Sequence, residues 1–182
     1  HYGVSNFDVD DLNELAAEVP EAQCAANQVQ YNLSDRGIEW DLYPRCQKDG
    51  VAMMAYCPLG QGRLINNAGL GAIAQKHGVT NAAIALAFTL RLPGMISIPK
   101  SSHEKRVLEN AAAADLILDA EDLAALDKLF PPPRKKRSLA IGAAPILGEE
   151  LAPTRVRRLT IGPFGSGQRQ AILHPDDLSA GE

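Results

Sequence analysis

No apolar run in the 182-residue chain approaches the roughly 18–20 residues that a membrane-spanning helix needs. No transmembrane segment is therefore expected. The opening residues lack the basic start and apolar centre of a secretory signal. They also lack an initiator Met: His1-Tyr2-Gly3-Val4 reads as mid-strand, so the chain is expected to be a fragment, or one whose start was lost. Cysteine is scarce. Cys24, Cys46 and Cys57 form no CxxC pair, which argues against a zinc site or a thiol redox pair. They read as small thiols, buried or half-buried, in a reducing cytoplasm. His1, His77, His103 and His174 are too dispersed for a metal site. No excess of positive charge is present; the net charge of −4 argues against a general nucleic-acid binder.

What is present is an alternation of short apolar runs and helical patterns over residues 1 to about 130. Gly3 to Phe7 reads as a strand end. Asp8 can cap a helix with Leu12, Leu15, Ala16 and Val19 on one face, stopped by Pro20. Ala26 to Tyr31 reads as a second strand, and Asp35 to Lys48 as a helix stopped by Asp49-Gly50. Val51 to Tyr56 is apolar throughout, the pattern of a strand buried on both faces. A Gly-rich loop follows from Cys57 to Gly71. Leu70 to His77 reads as a short helix, and Thr80 caps the next, with Ala83, Ile84, Ala87 and Leu90 as its apolar stripe. Met95 to Pro99 reads as a fourth strand. Ser101 and Glu104 have capping-box spacing. Asp119 caps a last helix carrying Leu123, Leu126 and Leu129, ended by Pro131-Pro132-Pro133.

Four strand-helix repeats predict an α/β fold with a parallel sheet. The chain is short for a complete (β/α)8 TIM barrel of about 250 residues, and four units are half of one. The fold expected is therefore the C-terminal half of such a barrel over 1–139. An irregular tail, expected to be flexible, follows over 140–182. Half a barrel leaves sheet edges unpaired, so a missing N-terminal half is expected to complete the site. Arg134-Lys135-Lys136-Arg137 reads as a solvated helix exit rather than a nucleic-acid patch.

The strand ends carry the chemistry. The first ends in Ser5-Asn6, the second carries Gln28, the third ends in Tyr56 and the fourth runs into Lys100. Amides, a hydroxyl, a flat ring and a cation suit a nucleotide bearing a planar amide-substituted ring. Lys100 and Arg106 flank a helix N-terminus, whose free N–H groups and dipole favour phosphate. Arg106, Glu109 and Asn110 stand at i, i+3 and i+4 and share one helical face. Each has a plainer reading, as a core aromatic, a backbone-satisfying amide or a solvated ion pair.

The motifs Gly3-Val4-Ser5-Asn6-Phe7, Asn27-Gln28-Val29-Gln30-Tyr31-Asn32, Ala55-Tyr56-Cys57-Pro58-Leu59-Gly60 and Ile98-Pro99-Lys100-Ser101 occur in this order. Followed by Arg106-Val107-Leu108-Glu109-Asn110, they resemble the aldo/keto reductase superfamily over residues 1–139. Within it the chain looks most like bacterial reductases of the methylglyoxal and 2,5-diketo-gluconate type. The resemblance implies a cytoplasmic oxidoreductase that reduces small aldehydes or ketones with NADPH. It implies that Ser5, Asn6 and Gln28 hold the nicotinamide carboxamide and that Tyr56 stacks on the ring. By the same resemblance Leu59, Gly60 and Gln61 strap the pyrophosphate, and Lys100, Ser101 and Arg106 clamp the 2′-phosphate. Glu109 and Asn110 would then meet the adenine. The family's catalytic Asp, Tyr, Lys and His fall before His1, so this chain alone is expected to be inactive. No metal, nucleic acid or membrane is expected. The alternative is a non-catalytic NADP-binding module used for regulation or assembly.

Overall fold

The computed structural model describes residues 1–139. The segment 140–182, with its expected flexible tail, lies outside the described residues. Four strands, β1 (Tyr2–Ser5), β2 (Cys24–Gln30), β3 (Ala52–Tyr56) and β4 (Met95–Ser97), form one parallel sheet in chain order. Helix α1 (Val9–Glu18) links β1 to β2, and α2 (Leu42–Asp49) links β2 to β3. Helices α3 (Gly71–His77) and α4 (Asn81–Leu90) lie between β3 and β4. After β4 come α5 (Glu104–Ala112) and α6 (Ala120–Leu129). Strands adjacent in sequence and in space, each joined by helix, follow the wiring of consecutive (β/α)8 barrel units.

The local signals act where they were expected. Asp8 accepts from the backbone N–H of Asp10 and Asp11, and Asp11 returns a bond to the Asp8 N–H, closing a capping box. Asp119 and Asp122 repeat the arrangement at α6. Each such cap is worth about 1 kcal/mol. Thr80 Oγ1 accepts from the Ala83 N–H at 3.2 Å to start α4.

Three expectations about the helices need correction. The helix read over 35–48 is broken into a 3₁₀ turn (Gly37–Glu39) and α2, which begins only at Leu42. Pro44 explains the late start. It has no N–H and its ring clashes with a carbonyl four residues back, so it fits the first turn and not an interior. The stripe on α4 is too narrow, since every residue from Ala83 to Thr89 is buried. The expected Ser101–Glu104 capping box is absent. Ser101 Oγ instead accepts from the His103 N–H at 3.1 Å, and α5 begins with no side-chain cap.

The sheet has two unlike faces. Val4, Asn27, Met53 and Met95 form one cross-strand row, and Val29, Ala55 and Ser97 the next. This face packs against helices in a core with Leu12, Leu42, Cys46, Ile73, Ile84, Phe88 and Leu126. The opposite face carries the row Ser5, Gln28, Met54 and Ile96, then Gln30 and Tyr56. On this face Met54 and Tyr56 are only half-buried and Ile96 is 45% exposed. The apolar run Val51 to Tyr56 was expected to be buried on both faces; only the alternate residues Val51, Met53 and Ala55 are buried.

A polar network locks the C-terminal end of α6 to the loop after β2. Buried Arg36 donates to both Glu39 carboxylate oxygens, to Asp127 at 2.6 Å and to the Phe130 carbonyl at 2.7 Å. The Tyr31 hydroxyl donates to Glu39, and Arg91 donates to Glu39 and to the Tyr31 hydroxyl. Both guanidinium groups lie over the Phe88 ring. Burial works to raise the Glu39 pKa, but the hydrogen bonds from Arg36, Tyr31 and Arg91 outweigh it and hold the carboxyl below its usual range. In the basic run, Lys136 is not simply solvated: it lies 3.6 Å from Asp10 and 3.5 Å from Asp41.

Candidate functional site

The carboxyl end of β1 is where the open face turns polar. The chain leaves the strand through Asn6, whose φ of 56° is in the left-handed region. A non-Gly residue there costs roughly 1 kcal/mol or more unless neighbours hold it. Three contacts do. The Asn6 N–H and the Ser5 hydroxyl both donate to the Gln28 carbonyl, at 2.8 and 3.1 Å. The buried Asn27 side chain grips Phe7, donating to its carbonyl at 2.8 Å and accepting from its N–H at 3.4 Å. The Tyr56 hydroxyl donates to Asn6 Oδ1 at 3.1 Å. Ser5, Asn6, Gln28 and Tyr56, placed together by sequence reasoning, are thus joined through consecutive strands. The Gln28 side-chain amide has no hydrogen-bond partner among the described residues.

Nothing in the sequence pattern assigns Asn27 a role. Its alternating position puts it on the helix face, where a fully buried amide must find partners, and it finds them in the turn that shapes Asn6. Gln30 likewise has a place that the pattern does not assign. It pairs in register with Tyr56 on the open face, and its amide donates to Asp35 at 2.9 Å.

The loop after β3 is built from unusual backbone. Cys57, Gly60, Gln61 and Gly62 all have positive φ. The Asn32 amide holds the Cys57 carbonyl at 3.0 Å. Leu59 packs against the core, Gly60 is buried and Gln61 is exposed. The segment is therefore a fixed, backbone-lined turn with one side chain offered to solvent.

Lys100 and Arg106 lie either side of the uncapped α5 N-terminus, both exposed, and neither is ion-paired among the described residues. Ser101 is half-buried with its hydroxyl in the turn to His103. Glu109 and Asn110 are half-buried on the same helix, and Glu109 lies 3.9 Å from Lys105, a weak surface contact. Among the described residues, no hydrogen bond or ion pair joins this group to Ser5, Asn6 or Gln28. The two groups share the carboxyl rim of one sheet.

The hydroxyls of Tyr31, Tyr43 and Tyr56 are each engaged. Burial first, and then the Glu39 carboxylate, pushes the Tyr31 hydroxyl far up despite Arg91. The Tyr43 hydroxyl donates to the Pro93 carbonyl and that of Tyr56 to Asn6. No cluster of His, Cys, Asp or Glu among the described residues could hold a metal ion. None of the described helices is long and apolar enough to cross a membrane.

Comparison with known proteins shows what the chain is similar to. The chain is 43% identical over 143 residues to the methylglyoxal reductase YeaE of Escherichia coli, covering 76% of this chain and 50% of that protein. It is 38% identical over 127 residues to the glyoxal reductase of Bacillus subtilis, covering 70% and 45%. The crystal structure of an aldo-keto reductase from Klebsiella pneumoniae in complex with NADPH superposes with a TM-score of 0.72 at 43% identity, over 78% of this chain and 51% of that one. The chain spans about half the length of these relatives. A parallel sheet wired as successive barrel units, matched to such proteins over half their length, is a partial barrel. With residues 1–130 also matching the family model for aldo/keto reductases, the chain belongs to the aldo/keto reductase family.

Proposed function

We propose that the protein to which this chain contributes reduces small aldehydes and ketones with NADPH, and that this chain supplies the cofactor-holding part. The observation that carries the reading is the pairing of two groups on one rim. The Ser5 and Tyr56 hydroxyls tie the end of β1 to the backbone of β2 and to β3, and two cations, unpaired among the described residues, stand at a helix N-terminus without a side-chain cap after β4. One end suits a carboxamide-bearing ring and the other suits a phosphate. The relatives point the same way: two are methylglyoxal and glyoxal reductases, and one was crystallised with NADPH.

The residues present fit such a cofactor. Ser5, Asn6 and Gln28 would hold the carboxamide, with Tyr56 against the ring. Leu59, Gly60 and Gln61 would line the pyrophosphate, and Lys100, Ser101 and Arg106 would neutralise the 2′-phosphate. Glu109 and Asn110 would meet the adenine. Bound NADPH supplies the hydride. Protonation of the carbonyl oxygen needs a general acid near its working pKa. We assign that group to the half of the family's length that this chain does not span. The test is NADPH oxidation with methylglyoxal, followed by absorbance, in the full-length protein and in this chain alone. Turnover by the first and none by the second is expected. Binding of NADPH by a full-length protein that turns over no carbonyl would favour the non-catalytic module instead.

A further inference from the structure

Resting on that cofactor reading, we propose that the Tyr56 hydroxyl is a positioning group that sets which end of the Asn6 amide faces the carboxamide. Its hydroxyl donates to Asn6 Oδ1 at 3.1 Å. An amide whose oxygen is engaged in this way presents its two N–H donors to whatever else is near. The Asn6 backbone has no freedom to rearrange. Its N–H is bound to the Gln28 carbonyl, and the next residue is held at both its N–H and its carbonyl by Asn27. What is left free is rotation of the side-chain amide, and Tyr56 fixes that. Ser5 has the opposite polarity. Its hydroxyl hydrogen goes to the Gln28 carbonyl at 3.1 Å, so it offers oxygen lone pairs.

A carboxamide carries one carbonyl acceptor and an NH₂ donor, and the two protein groups complement it in one sense only. Asn6 pairs with the carboxamide oxygen and Ser5 with its N–H. Gln28, whose amide is unengaged among the described residues, can serve either end. Tyr56 therefore acts through its hydroxyl, across fifty positions of sequence, as well as through its ring.

The test uses the full-length protein and three ligands, with affinities from calorimetry. The ligands are NADP⁺, its acetylpyridine analogue, which keeps the carbonyl and replaces the NH₂ by methyl, and 2′-phospho-ADP-ribose, which has no nicotinamide. Tyr56→Phe keeps the ring and removes the hydroxyl. It should weaken NADP⁺ and the analogue alike, each by about three- to tenfold, and leave 2′-phospho-ADP-ribose unchanged. Ser5→Ala should weaken NADP⁺ and spare the analogue. In an Asn6→Ala background, Tyr56→Phe should cost nothing further. Parental binding of NADP⁺ by Tyr56→Phe, or equal weakening of all three ligands, overturns the proposal. So does equal weakening of NADP⁺ and the analogue by Ser5→Ala. Failure of the unsubstituted protein to bind NADP⁺ at all removes the cofactor reading itself, and this proposal with it.

Discussion

Replacing Arg106 by Ala separates a phosphate clamp from a surface charge. Arg106 is the third residue of α5, in the turn where backbone N–H groups have no partner further back in the helix. The His103 side chain does not cap them, and Ser101 is engaged with His103 instead. An anion seated there meets those N–H groups together with two cations, Lys100 and Arg106. A charge-assisted hydrogen bond is worth roughly 1.5–3 kcal/mol. Arg106 is exposed, so solvent and salt reduce its share towards the low end. Arg106→Ala in the full-length protein should therefore weaken NADPH by about ten- to a hundred-fold, nearer tenfold at physiological salt. NADH, with a hydroxyl in place of the 2′-phosphate, should barely respond. Fluorescence titration with both cofactors reads the difference. Lys105→Ala is the internal control. It removes a charge one position away that faces Glu109 at 3.9 Å, and should leave the NADPH-to-NADH ratio unchanged. Equal losses for both cofactors with Arg106→Ala would show that Arg106 is structural and the phosphate assignment wrong.

Other expectations concern stability and association. This chain alone exposes Ile96 and Ile98 at β4, and Leu108 and Ile117 further on at 64% and 84%, so it should self-associate. A monomer by light scattering with a sharp two-state melt would refute that. Arg36→Ala removes bonds to Glu39, Asp127 and the Phe130 carbonyl. It should destabilise the full-length protein by about 3 kcal/mol, read by denaturant unfolding. A loss below about 1 kcal/mol would mean that Arg91 alone suffices for Glu39. Burial works to raise the Asp122 pKa, but bonds from Lys76 and His77 prevail and bring it down to about 2. A lowered folded-state pKa gives stability that is present above the ordinary carboxylate range. That stability is lost as pH falls towards about 2. Asp122→Asn should flatten the acid limb of the melting temperature between pH ~4 and ~2; an unchanged limb would show that other carboxylates govern it.

Much of the fold was legible because its punctuation is local. Asp8, Thr80 and Asp119 announce helices through contacts within three residues, and period-2 or period-3.6 patterns separate strand from helix. The errors arose where one signal overrode another. Pro44 decides where α2 starts, although the apolar spacing around it continues through the break. Ser101 and Glu104 have the spacing of a capping box, but the hydroxyl finds a nearer N–H at His103. Site residues were legible by type and position at strand ends. Their couplings were not. Tyr56 meets Asn6 across fifty residues, and Arg36 meets Asp127 across ninety-one, and only the fold brings them together.

The distribution of left-handed backbone ties the fold to the site. Among the described residues, the non-Gly positions with positive φ are Asn6, Cys57 and Gln61. All three follow a strand, at the carboxyl rim. Elsewhere, after α2, after α3 and before β4, the left-handed positions are Gly50, Gly78 and Gly94. A Gly adopts such a conformation without the Cβ clash that other residues meet, so selection for stability alone places Gly there. Keeping a side chain at Asn6 costs stability that a Gly would not. The cost is explained if the side chain is needed, and the Asn6 amide is what Tyr56 holds in place. Substituting Asn6 by Gly should accordingly raise or preserve the melting temperature while abolishing discrimination for the nicotinamide end of the cofactor. A drop of several degrees instead would mean that the amide serves the fold, and the rim would lose its claim as the functional face.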